Sequence, residues 1–280
     1  MTRISVDEFA YWLARQDTAA KVLLVEGARD VRFWSRLVPD QKRTASVIFP
    51  IDRIDVPVKF GGNKGRILTL IRDTRILPLH DRLCVFIDAD NDHLLSIGHQ
   101  AIVELTEVRD IECYALSDDA WAGISDALNI TEESSNRALT AIRGIGLKFG
   151  LLRAANERVG SNLPITDTLF GKPAKYLKIE GGLLKFNEEV FLATLFSAGR
   201  GGNGNRERFL QAYAALSMSF KGDFRIAVRG KDALLVASRC ISPSLEQCAV
   251  AVNSFLLFSE SYMRSYPAIT RVAGFLETAA

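Results

Sequence analysis

Lys21-Val22-Leu23-Leu24-Val25-Glu26-Gly27 and Leu83-Cys84-Val85-Phe86-Ile87-Asp88-Ala89-Asp90 share one plan: a short apolar run stopped abruptly by an acid. Continuous apolar runs of this length predict strands buried on both faces, the kind found in a parallel sheet covered by helices. Upstream, Ser5-Val6-Asp7-Glu8 is a capping-box pattern before Phe9, Tyr11, Trp12 and Leu13, so a helix is expected from Val6 to Asp17. Between the two runs, Val31, Phe33, Trp34 and Leu37 fall at helical spacing within Arg29 to Val38, and Ala45 to Phe49 reads as a strand. Gly61-Gly62-Asn63-Lys64-Gly65 reads as a loop opening a helix that carries Ile67, Leu68, Leu70 and Ile71. A fourth strand is expected near Ala101 to Leu105, and a helix from Asp110. Strands alternating with helices over this length predict an α/β fold with a parallel sheet.

After Ser117 the periodicity turns helical, over Asp118 to Leu128, Arg137 to Val159 and Arg206 to Met218. Gly199 to Asn205 reads as a glycine-rich loop, Phe224 to Val228 as a strand, and Lys231 to Cys240 and Ser244 to Phe258 as helices. The expected organisation is a core over residues 1–116, a basic, mainly helical insertion over 117–221, and a C-terminal segment, 222–280, that completes the core.

Composition narrows the function classes. Hydrophobic residues make up 48% and charged residues 24% of the 280, as in a folded chain with a buried core. No apolar run approaches the roughly 20 residues needed to span a bilayer, and Met1 to Gln16 lacks the apolar centre of a secretory signal. A cytoplasmic protein with no membrane association is expected. Cys84, Cys113, Cys240 and Cys248 form no CxxC pair, which points to buried reduced thiols and away from structural zinc. The net charge of +2 is unevenly placed, with 17 Lys/Arg against 8 Asp/Glu from Arg137 to Arg239. That excess suits a region gripping a polyanion, and equally a solvated basic surface.

The acids carry the chemistry. In an open parallel sheet, functional groups collect at the carboxyl ends of the strands, where Glu26, Asp88 and Asp90 fall. Converging carboxylates repel unless a cation sits among them, and oxygen donors without nearby His or Cys favour Mg²⁺ or Mn²⁺. Asp30, one helical turn past Glu26, and Glu112, in Asp110-Ile111-Glu112-Cys113-Tyr114, are further candidate metal ligands. Five such acids leave room for two ions, the arrangement that activates a water and stabilises the leaving oxygen of a phosphodiester. Taken singly, each acid also reads as a turn residue, a helix cap or a surface ion-pair partner. The joint pattern points to a metal site.

Leu23-Leu24-Val25-Glu26-Gly27 with Asp30 and Phe33-Trp34, followed by Ile87-Asp88-Ala89-Asp90, resembles the TOPRIM domain of topoisomerases, primases and OLD-type nucleases. The resemblance implies that Glu26, Asp88 and Asp90 bind Mg²⁺ and act on phosphodiesters. The segments 25–34, 61–64, 86–92, 110–116 and 229–235 occur in the order seen in small OLD-like TOPRIM nucleases, among them the toxin effectors of PARIS anti-phage systems. The resemblance further implies a nuclease held in check by an ABC-type ATPase subunit, active as a homodimer, with tRNA or DNA as substrate. Lys231, in Arg229-Gly230-Lys231-Asp232, is the candidate catalytic cation that steadies phosphate charge, or else a surface lysine at a helix start. Where many relatives read Asp-Arg-Asp, Ala89 stands between the acids here.

Asn63 and Lys64, and Arg206 and Arg208 beside the glycine-rich loop, are candidate contacts to a nucleic-acid backbone, with a helix-start turn and a linker as the plain readings. No Walker motif is present, so ATP hydrolysis is not expected of this chain. Two other functions fit the same acids: a DxD-dependent nucleotidyl- or glycosyl-transferase, and a non-catalytic module whose acids bind a partner.

Overall fold

The computed structural model describes residues 3–16, 20–43, 45–57, 62–199 and 203–278. In chain order the first elements are β1 (Ile4–Ser5), α1 (Val6–Arg15), β2 (Lys21–Val25), α2 (Ala28–Leu37), β3 (Ser46–Pro50) and β4 (Ile54–Asp55). Next come α3 (Gly62–Leu70), β5 (Leu83–Ile87), α4 (Asp92–Leu95), β6 (Val103–Leu105), α5 (Asp118–Ala127) and α6 (Glu132–Ala141). They are followed by α7 (Leu147–Val159), α8 (Ile165–Gly171), α9 (Pro173–Tyr176), β7 (Leu177–Glu180), β8 (Leu183–Phe186) and α10 (Glu188–Ala198). The chain ends in α11 (Asn203–Ser219), α12 (Gly230–Cys240), α13 (Leu245–Phe258), α14 (Glu260–Met263) and α15 (Pro267–Glu277).

Two compact units result. The first comprises Met1–Ala89, Gly98–Glu107 and Leu256–Ala280, and the second Asp90–Ile97 and Val108–Phe255. The tail from Leu256 therefore belongs with the sheet, whereas residues 222–255 belong with the helices.

The first unit is built on a parallel sheet of order β3-β2-β5-β6, with Val25 opposite both Pro50 and Phe86, and Ile87 opposite Leu105. The α/β expectation is borne out, and β2 and β5 have the bounds their apolar runs predict. Both faces of these strands are covered, which is why the runs do not alternate with polar residues. Val22, Leu24, Val85 and Ile87 join Phe9 and Leu13 of α1 and Ile67 and Leu70 of α3 in one core cluster. On the other face Trp34 of α2 meets Phe86 edge to face, centroids 4.9 Å apart. Helix α15 packs there across β2, β3, β5 and β6. The capping box of α1 forms as expected: Glu8 N–H donates to Ser5 Oγ (3.1 Å) and Ser5 N–H to Glu8 Oε2 (2.6 Å). Among the described residues no helix is long and apolar enough to cross a membrane.

The second unit is mainly helical, with several departures from the expectations above. The helix expected over Arg137 to Val159 begins earlier, at Glu132, and is interrupted by a π-helical turn at Ile142–Gly146. Leu177 to Phe186 forms an antiparallel hairpin, β7–β8, in a stretch to which the sequence reading assigns no element. Its signal is Gly181-Gly182, both at positive φ (59° and 78°), as a two-residue primed turn requires. Phe224 to Val228 is not a strand but opens as a 3₁₀ turn, Phe224–Ile226, capped by Asp223. Part of the glycine-rich stretch also differs, since α11 opens at Asn203; residues 200–202 lie outside the described residues, as does Gly61 of the earlier loop.

At Gly150 in α7 an added Cβ would lie 2.1 Å from the carbonyl oxygen of Ala227. Alanine normally strengthens a helix relative to glycine by about 1 kcal/mol. Here backbone would have to move, so Gly150→Ala is expected to destabilise by about 1–3 kcal/mol in urea titration. A neutral or stabilising result would mean that α7 does not approach the Ala227 carbonyl this closely.

Candidate functional site

Two of the expected acids meet in the first unit. Because β2 and β5 are hydrogen-bonded neighbours running the same way, Glu26 and Asp88 leave the sheet at the same edge. Glu26 Oε1 accepts a hydrogen bond from the Asp88 backbone N–H at 3.3 Å, which ties the glutamate side chain to the end of β5. Both residues are partly buried. Asp30 sits in the first turn of α2, where its Oδ2 accepts from Gly27 N–H at 2.9 Å. It closes the helix start directly behind Glu26. Glu26 itself lies ahead of the helix, and the Asp30 capping bond satisfies the plain reading of that acid.

Asn63 and Lys64, expected in a loop, lie in the first turn of α3 and brace this edge. Asn63 Nδ2 donates to the Glu26 carbonyl at 2.6 Å. Lys64 Nζ donates to the carbonyls of Asp88 and Ala89 at 2.9 and 3.0 Å. A lysine cation is thus held by the backbone that carries Asp88, a placement that favours the charged form of nearby acids. Ala89 N–H donates to the fully buried Thr106 Oγ1 at 2.9 Å, a contact that sequence reasoning misses. No local pattern marks Thr106, since it lies just past β6 and meets Ala89 only through the fold.

The other candidates lie in the second unit. Asp90 is exposed and adopts a left-handed backbone, φ 53°, with its N–H donating to the Arg109 carbonyl at 2.7 Å. The adjoining Asn91 is buried, accepting from Arg109 Nη1 at 2.6 Å and donating to Glu157 Oε2 at 2.5 Å. Glu112 does not open an α-helix as expected but lies buried in a 3₁₀ segment, Ile111–Leu116. Lys231 is exposed in the first turn of α12. Arg206 and Arg208 are exposed on α11, with the Arg206 guanidinium 4.9 Å from the centre of the Phe196 ring.

Asp110 is the group that sequence reasoning undervalues. Its position suggests only a helix start, yet its carboxylate reaches across the unit to the N-terminus of α12, accepting Gly230 N–H at 2.9 and 3.1 Å. The Cys113 thiol lies 2.8 Å from the same carboxylate. Burial pushes the Asp110 carboxyl up to about 6, and the neighbouring Glu112 charge adds to it; the Cys113 and Gly230 hydrogen bonds and Arg109 act against them. Burial likewise lowers the Arg109 guanidinium and raises Cys113, and takes Cys84 up to about 12. All four cysteines are free thiols.

A carboxyl raised in the folded state binds its proton more tightly there than in the unfolded chain. Its contribution is therefore fully present below about pH 4 and lost as pH rises through about 6. The stability difference between the wild type and Asp110→Asn, followed by denaturant titration from pH 4 to 7, should fall by on the order of 1–3 kcal/mol as pH rises. A difference independent of pH would remove Asp110 as a titrating group.

Among the described residues no three His, Cys, Asp or Glu side chains gather closely enough to hold a metal ion. The first unit instead offers two acids, Glu26 and Asp88, at the same carboxyl end of the sheet, with the Glu26 carboxylate on the Asp88 backbone N–H. Magnesium is commonly held by one or two carboxylates, with water and substrate phosphate completing its shell, so the chemistry of this pair suits a hard divalent cation. A comparison with protein-family models finds no match, and a comparison with curated proteins finds none either.

Proposed function

We propose that this chain is a divalent-metal-dependent phosphodiesterase of the TOPRIM kind that cuts nucleic acid. The observation that carries the reading is the Glu26 carboxylate anchored to the Asp88 backbone at the shared carboxyl edge of β2 and β5. Glu26 and Asp88 would hold Mg²⁺ or Mn²⁺, with Asp90, two residues further along the chain, assigned to the same role by resemblance. The bound ion would supply positive charge to offset the charge developing on the phosphate.

The chain's own groups have separate tasks. Glu26 accepts the proton of the attacking water, a role open to a carboxylate within hydrogen-bond reach of it. Asn63 and Lys64 fix the backbone from which Glu26 and Asp88 project. Asp30 holds the start of α2 in place through Gly27. Lys231 as a cation for the phosphate and Glu112 as a further ligand belong to the same proposal. So do regulation by an ABC-type ATPase, action as a homodimeric anti-phage toxin and a preference for tRNA over DNA.

The test is incubation of the purified protein with total RNA, tRNA and plasmid DNA, with Mg²⁺, with Mn²⁺ and with EDTA. Cleavage that needs the metal is the expected result. No cleavage of any substrate, together with no heat on titrating either metal, would leave a partner-binding module as the better account.

A further inference from the structure

Helix α2 begins two residues after Glu26, and its three arginines share one side. At 100° per residue, Arg29, Arg32 and Arg36 fall within about 60° of arc, clear of the Phe33, Trp34 and Leu37 face that packs into the core. All three are exposed. Asp30 is the one acid on the helix, and it is turned to Gly27 as a cap. Among the described residues neither Arg32 nor Arg36 takes part in an ion pair, whereas nearby Lys42 and Arg264 are matched to Glu260 and Glu277. At the far end of the row, the Arg36 guanidinium lies 4.8 Å from the centre of the Phe258 ring. That ring is 69% exposed, and Phe258 belongs to the same unit as α2.

We propose that this face of α2 is a track for a single nucleic-acid strand, leading its backbone to the Glu26–Asp88 edge; the inference rests on the phosphodiesterase reading. The spacing allows it. Arg29 to Arg36 spans about 10.5 Å of helix, room for three successive phosphates, the outer two of which lie two steps of about 3.4 Å apart along the axis in a stacked strand and farther apart in an extended one. Each arginine can therefore meet its own phosphate, with a planar fork matched to two phosphate oxygens. Arg29, nearest to the acids, takes the phosphate beside the scissile one. Phe258 offers a flat apolar surface for a base at the distal end, a contact open to unpaired bases but not to a closed duplex. An arginine row beside two carboxylates also solves a charge problem, because it draws a polyanion toward an edge whose own acids repel it.

The test measures binding without chemistry. The Glu26→Gln protein is titrated in EDTA with a labelled 20-nucleotide RNA and with DNA of the same sequence, at several salt concentrations, with and without Arg29, Arg32 and Arg36 all changed to Gln. The glutamines should weaken binding by at least about 10-fold and make the salt dependence shallower by about 2 in log–log slope, since each phosphate contact on a single strand contributes about 0.7. Phe258→Ala should weaken single-strand binding several-fold and leave that slope unchanged. Equal affinity and slope in the arginine variant would overturn the track, and an unaffected Phe258→Ala would overturn its assignment to a single strand. The two readings fail separately. Arginine-dependent binding without metal-dependent cleavage by the wild type counts against the phosphodiesterase, while cleavage with arginine-independent binding counts against the track.

Discussion

Glu26→Gln is expected to abolish metal-dependent cleavage, lowering the rate by at least about 10³-fold, a loss at the upper end of that seen on removing one group that stabilises transition-state charge. The substitution keeps the shape of the side chain and an oxygen that can still accept the Asp88 N–H. What it removes is the negative charge and the basic oxygen. Folding should therefore be unchanged while the rate collapses, and metal affinity measured by calorimetry should fall with it. Asp88→Asn should behave alike. The informative contrast is with Asp90→Asn. If that variant is inactive while Glu26→Gln keeps full activity, the acids are acting as a DxD transferase site, and the pairing across β2 and β5 is structural only.

The second large effect concerns stability. Asp232 is fully buried, and its carboxylate takes two hydrogen bonds from one guanidinium, Arg153 Nε at 2.7 Å and Nη2 at 2.9 Å. Arg153 also donates to Thr166 Oγ1 at 2.8 Å, so α12, α7 and α8 meet at this pair. Asp232→Ala should cost about 3–5 kcal/mol, because it leaves a mostly buried guanidinium without its counter-charge. Replacing both partners together, as in Asp232→Leu with Arg153→Met, should recover much of that loss, since a well-packed apolar pair is often as stable as a buried ion pair. Urea titration of the three variants separates the cases. A single-variant loss below about 1 kcal/mol would show that Asp232 does not anchor α12.

How much of the fold and site is legible in the sequence depends on how local each cause is. Strands β2 and β5 are plain, because a strand buried on both faces must be apolar throughout. The helix start at Ser5 is plain because capping chemistry lies within four residues. The turn at Phe224 is easily misread because Ala227 and Val228 are buried by tertiary contact, and their apolarity mimics a strand. The β7–β8 hairpin is legible from Gly181-Gly182 but is masked by the helical periodicity on either side. At the candidate site, the convergence of Glu26 and Asp88 comes directly from strand adjacency. The bracing by Lys64 and Thr106, and the reach of Asp110 to Gly230, depend on contacts between distant segments that no spacing rule encodes. In Arg229-Gly230-Lys231-Asp232 the lysine draws the eye, whereas the buried aspartate beside it bears the structural weight.

The left-handed backbone at Asp90 makes that position a natural instrument for separating ligand chemistry from chain conformation. Among side chains other than glycine, asparagine and aspartate tolerate this region best. Asparagine there would erase a charge without asking the main chain to move, whereas alanine would erase the charge and disfavour the turn together. Glycine would relax the turn outright. An aspartate standing where glycine would cost the chain less is the kind of position at which a chemical role and folding economy can be weighed against each other in a single set of three variants.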